Sequence, residues 1–163
     1  MRKLIYFLTV LVVLSSCSND FDYVFDKTVT ERKDEAKAKL TTLLSNSEYG
    51  WKTTVIVGET FTAGSFYHFT FSEMAENSGE VILNNGIKEI TSEFEIAHET
   101  GILLKFTTRN ELLHWLIIPN VMFAQGFGLD QEYIFMKEED DKLYFQGKEL
   151  GSKLVLEKAT EED

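Results

Sequence analysis

The chain has 163 residues, 44% of them hydrophobic, with 13 Phe and one Pro; that is one domain with enough apolar material for a core, which argues against a disordered chain. Its formal net charge of −11 repels phosphate backbones and argues against a nucleic-acid partner. One cysteine, Cys17, leaves no intrachain disulfide framework and no cysteine-rich zinc site.

The N-terminus, "MRKLIYFLTVLVVLSSC", reads as a secretory signal. Arg2 and Lys3 form the basic start, and Leu4 to Leu14 form an apolar run of 11 residues. A membrane-spanning helix needs about 20 apolar residues, so this run is too short to span. Its end, "LSSC", resembles a bacterial lipobox, in which the cysteine is acylated and becomes the new N-terminus. The alternative is an ordinary signal peptide with a chance cysteine. Residues 1–16 are therefore expected to be removed, and with Arg2 and Lys3 gone the net charge becomes −13. A surface so acidic is repelled by anionic lipid, so it needs a device such as acylation to stay on a membrane. Each buried methylene of an acyl chain contributes roughly 0.8 kcal/mol. Residues 17–27 form an acidic tether with Asp20, Asp22 and Asp26. Acidic residues at this place resemble a surface-export signal of Bacteroidota lipoproteins, so an outward-facing outer-membrane position is expected ahead of a periplasmic one.

Residues 28–160 read as one helix followed by strands. Thr28 and Glu31 have capping-box spacing. Val29, Ala36, Leu40, Leu43 and Leu44 fall on one helical face, which predicts a helix over 29–45 with a turn up to Gly50. In "WKTTVIV", Trp51, Thr53, Val55 and Val57 share one side, and in "SFYHFTFS" Tyr67, Phe69 and Phe71 do. "GEVILNNG" ends in Asn85-Gly86, a strong hairpin signal. "SEFEIAHETGILLKFTT" predicts two strands joined near Glu99 to Gly101. "ELLHWLIIP" reads as a further strand ended by Pro119, and "NVMFAQGFG" as a loop. "QEYIFMKEEDDKLYFQGKELGSKLVLEKA" predicts three strands, turned at Asp140-Asp141 and between Gly147 and Gly151. The expected fold is mainly β with one N-terminal α-helix. Its eight or nine antiparallel strands form a meander, closed as a lipocalin-like barrel or folded as a two-layer sandwich.

Several blocks together resemble the DUF4302 family of Bacteroidota lipoproteins. They are "FDKTVTERKDEAKAKLTTLLSNSEYGWK", "GILLKFTTRNELLHWLIIP", "GFGLDQEYIFM" and "LYFQGKELGSKLVL", in that order over nearly all of residues 21–158. The resemblance implies an envelope lipoprotein whose activity the family does not specify. Some such lipoproteins look like accessories of outer-membrane uptake systems. Members often carry a further C-terminal region, so an activity housed there is expected to be missing from this chain.

Candidate chemistry is sparse. His68, His98 and His114 show neither helical pairing nor H-x-H spacing, so neither a metal site nor a cofactor is expected. Glu93, Glu95, Glu99, Asp130 and Glu132 would serve a carbohydrate-directed hydrolase only if two of them faced each other across a barrel mouth; otherwise they are a solvated face. "GFGLDQ" precedes a strand instead of opening a helix, which argues against a phosphate loop. Trp115, Phe123, Phe127 and Tyr133 cluster in sequence. Exposed, they would form an apolar or glycan-stacking patch; inward, they would fill the end of the barrel or the space between sheets. The functional expectation is a non-enzymatic binding or accessory module on the outer membrane, contacting a protein complex or glycan. The alternatives are the hydrolase and a purely structural surface lipoprotein.

Overall fold

A computed structural model describes residues 26–57, 61–117 and 127–163. The signal segment, Cys17 and the tether up to residue 25 lie outside the described residues, as does Phe123.

Helix α1 (Val29–Ser45) begins where the capping box places it. Glu31 N donates to Thr28 Oγ1 at 3.2 Å, and Thr28 N donates to Glu31 Oε2 at 2.8 Å, so two otherwise unpaired backbone donors are satisfied. Its packing departs from the expected stripe. Only Leu40, Thr41 and Leu44 are buried, while Val29 is 58% exposed. The first turns overhang the barrel, and only the last turns meet it. Trp51 Nε1 donates to Leu44 O at 2.9 Å and ties that last turn to the first strand. Between them Gly50 has φ +75°, and a Cβ there would stand 2.6 Å from Phe69 O, so the approach of the two backbones needs glycine.

Eight strands follow among the described residues. They are β1 (Trp51–Val57), β2 (Phe61–Ala75), β3 (Ser78–Asn84), β4 (Glu89–His98), β5 (Ile102–Phe106), β6 (Glu132–Glu139), β7 (Lys142–Gly147) and β8 (Lys153–Lys158). Each pairs antiparallel with the next, and β8 pairs with β1 from Trp51↔Lys158 to Ile56↔Lys153. The meander is therefore a closed barrel and not a two-layer sandwich, and no strand is left with an unpaired edge. The pleat sends Trp51, Thr53 and Val55 inward on β1, and Tyr67, Phe69 and Phe71 inward on β2, as their alternation predicts. Register shifts at Thr53/Val55, Glu73/Ala75 and Phe135/Lys137 are bulges of the kind that bend strands into a barrel. Asp140 and Asp141, with φ of 50° and 58°, make the left-handed turn between β6 and β7.

One expected strand is a helix. "ELLHWLI" forms α2 (Glu111–Ile117). Asn110 Oδ1 accepts from Leu112 N at 2.9 Å and starts the turn, while Asn110 Nδ2 donates to Ser92 Oγ on β4 at 3.1 Å. Leu112, Leu113 and Leu116 are all buried, which fits helical and not alternating spacing. The dense apolar run hides that period in the sequence.

Because successive strands reverse direction, α1 enters at the rim where β1 starts (the near rim). Helix α2 links the end of β5 to the start of β6 at the opposite, far rim. Leu40 and Leu44 join the interior cluster from one end, and Leu112, Leu113 and Leu116 join it from the other. Each helix is a plug. Leu116→Ala is expected to destabilise the fold by about 2–5 kcal/mol through loss of buried area and the cavity left behind. Urea unfolding monitored by circular dichroism measures this, with Ile87→Ala at a 94% exposed position expected to be near neutral.

Candidate functional site

The interior is occupied. Phe69, Val81, Leu83 and Leu104 have 0% exposure, and Trp51 and Phe94 have 1%. A side chain bordering a water-sized void would keep accessible area, so no solvent-filled lumen touches these groups. Phe71 and Phe94 meet edge-on with centroids 5.1 Å apart, and Phe106 meets Tyr133 edge-on at 6.3 Å.

The most developed polar arrangement lies at the far rim. Asp130, 4% exposed, points its carboxylate into the hairpin between β7 and β8. Glu149 N and Leu150 N donate to Oδ1 at 2.7 and 2.8 Å; Ser152 N and Ser152 Oγ donate to Oδ2 at 3.1 and 2.6 Å. Ser152 Oγ in turn accepts from Asp130 N at 3.1 Å. A Cβ on Gly147 would stand 1.8 Å from Asp130 Oδ2, so that glycine makes room for the carboxylate. The hydroxyl of Tyr133, next to this group, is held above its ordinary pKa by burial, with the Ser152 hydrogen bond pulling the other way. Asp130 thus clamps the hairpin to the entry of β6. The 2.6 Å serine–carboxylate contact is a tie and not an activated nucleophile, because Ser152 is 1% exposed and four donors occupy the carboxylate. The sequence alone placed Asp130 among possible solvated carboxylates; the structure buries it. "GFGLDQ" and "GKELGS", remote from each other in sequence, meet here.

On the outer wall Lys148 Nζ donates to Glu99 Oε2 and Glu132 Oε2 at 2.6 Å each, and Lys105 Nζ donates to Glu99 Oε1 at 2.6 Å. The Lys105 and Lys148 ammonium groups hold the Glu99 carboxyl at about 2. Glu93 and Glu95 are exposed and alternate with inward Ser92, Phe94 and Ile96. The five carboxylates therefore do not converge on one site: Glu93 and Glu95 line an open cleft of about 550 Å³ beside Lys37 of α1, Glu99 and Glu132 sit in the ion-pair ring, and Asp130 is the clamp. Among the described residues, no three His, Cys, Asp or Glu are arranged to hold a metal ion.

Of the predicted aromatic patch, Tyr133 is 2% exposed and Phe127 is half-buried against the core, so both turn inward. Trp115 lies on α2. The exposed apolar groups at the far rim are different ones, Ile87 (94%) and Leu150 (63%), at the tips of the β3–β4 and β7–β8 hairpins. Beside Leu150 is a cleft of about 260 Å³ lined by Ile117, Leu129, Glu132 and Glu149. Their sequence signal was only an apolar residue inside a turn. Among the described residues no helix is long and apolar enough to cross a membrane.

Two outcomes are expected. Asp130→Ala strands three buried or half-buried N–H groups and should cost at least about 1–3 kcal/mol, read as a lowered urea midpoint. Glu99 is depressed from 4.5 to about 2, so its ion pairs stabilise the fold above the ordinary carboxylate range and are lost as pH falls toward 2. Between those values Tm should fall more steeply for the wild type than for Glu99→Gln.

A family model described as a domain of unknown function, DUF4302, matches residues 22–163. No curated protein and no solved structure matches the chain.

Proposed function

The chain belongs to the DUF4302 family, and from that premise we propose that it is a lipid-anchored β-domain of the Bacteroidota cell envelope. Acyl chains on Cys17 hold it at the outer membrane, facing outward. It acts there through protein contacts, as a non-enzymatic accessory module of an uptake or surface complex.

The observation that carries the contact reading is the occupied, doubly plugged interior. A barrel whose lumen is filled by side chains leaves its outer surface for recognition. A protein partner is favoured over a stacked glycan because Phe127 and Tyr133 turn inward while aliphatic Ile87 and Leu150 stand out. The anchor reading rests on "LSSC" and the basic and apolar segments before it. In sequence the tether runs into α1, and Ile87 and Leu150 stand at the rim opposite the one where β1 starts.

Three measurements separate the parts of this reading. Cys17→Ala should move the exported protein from the membrane to the soluble fraction and abolish incorporation of a labelled fatty acid; a membrane-retained, label-free variant ends the anchor reading. Protease added to intact cells should digest the wild type, and full protection would put it on the periplasmic side. Ile87→Asp with Leu150→Asp should leave Tm close to wild type while abolishing in-cell cross-links to membrane proteins. Unchanged cross-links would remove the far rim from the contact.

A further inference from the structure

We propose that the β3–β4 hairpin tip is a self-modification site, where the carboxamide of Asn85 is converted through a cyclic imide to aspartate and isoaspartate. The inference stands on local geometry alone and does not depend on the functional reading. Residues 85–88 join Asn84 to its strand partner Glu89. The side-chain carbonyl, the attacking nitrogen and their hydrogen-bond partners all lie in this one turn.

Asn85 Oδ1 accepts from Ile87 N at 3.1 Å and from Lys88 N at 2.8 Å. Two donors on one carbonyl oxygen draw electron density from Cγ and lie where negative charge develops when that carbon is attacked. The attacking atom is the next backbone nitrogen, Gly86 N, whose proton is held by Asn84 Oδ1 at 2.7 Å. That hydrogen bond fixes the orientation of the peptide plane whose nitrogen attacks. Gly86 has φ +81°, and nothing lies within 4 Å of where a Cβ would stand, so no side chain obstructs the approach. The neighbouring Ile87 is 94% exposed, which gives water free access. Holding both reacting groups in one turn replaces a search through loop conformers with a short approach.

The step balances without an oxidant or reductant. The Gly86 N–Asn85 Cγ bond forms, the Gly86 proton passes to the departing amide nitrogen, the Cγ–Nδ2 bond breaks, and ammonia leaves. Water then adds across either carbon–nitrogen bond of the imide. One opening restores the main chain with an aspartate; the other routes it through the side chain as isoaspartate. Both add one negative charge beside Ile87. The second also lengthens the loop, which loosens the tip without unpairing the barrel.

The test follows conversion at Asn85 by peptide mapping in the folded protein and in a linear peptide of residues 81–91 with blocked ends, both kept in mildly alkaline buffer. Conversion in the folded protein is expected to be at least as fast as in the peptide, and faster than at Asn46 or Asn77, each followed by serine. Asn84→Ala is expected to slow conversion several-fold in the folded protein and to leave the peptide rate unchanged. Slower conversion in the folded protein than in the peptide overturns the proposal. So does an Asn84→Ala protein that melts like the wild type and converts at the wild-type rate. If Asn84→Ala does not fold, the comparison of wild type with peptide decides.

Discussion

The pairing of β8 with β1 is the constraint on which the rest of the structure depends. It joins residues 51–56 to residues 153–158, so it forms only when nearly the whole domain is in place. Loop-closure entropy rises slowly with length, so the thermodynamic cost of so distant a contact is modest, although contacts remote in sequence slow folding. The return is a sheet without open edges, which removes the most direct route to strand-to-strand aggregation. An eight-stranded barrel has an interior just wide enough for side chains to fill it, and here they do.

Closure sets the roles of both helices. A barrel has two open ends, and each exposes apolar side chains unless something covers it. Helix α1 brings Leu40 and Leu44 to one end and α2 brings Leu112, Leu113 and Leu116 to the other. The covered ends explain why α1 buries only its last turns, and why α2 is a helix in a region whose composition reads as strand. The same constraint fills the lumen, since the groups that would line it are packed against one another.

The segments that carry the family resemblance acquire physical roles in this frame. The Gly-Trp-Lys at the end of the first block lets the chain pass from α1 into β1: Gly50 permits the close approach to Phe69, and Trp51 hydrogen-bonds the last turn of α1. The Asp of "GFGLDQ" and the Gly and Ser of "GKELGS" form the clamp around the Asp130 carboxylate. These residues hold the barrel together. Catalysis has no claim on Ser152 or Asp130, because their hydrogen-bonding capacity is spent on the hairpin.

Much of the architecture was legible from local pattern. The capping box, the alternation in β1 and β2, and the Asn-Gly and Asp-Asp turns are properties of neighbouring residues, and the structure matches them. The strand expected at "ELLHWLIIP" failed because an apolar run interrupted only by His114 shows no clear period. Asp130 was misplaced among surface carboxylates because its donors come from a hairpin about twenty residues away, as the |i−j| separations of 19 to 22 show. Sequence by itself therefore determined the segment types other than α2, the acidic surface and the single cysteine within a lipobox-like ending, all of which follow from residues close together in the chain. Tertiary structure alone decided that the sheet closes, that the interior is full, that Tyr133 turns inward and that Ile87 and Leu150 stand out. Each of those depends on which distant strand or rim a residue meets, and local periodicity carries no information about that.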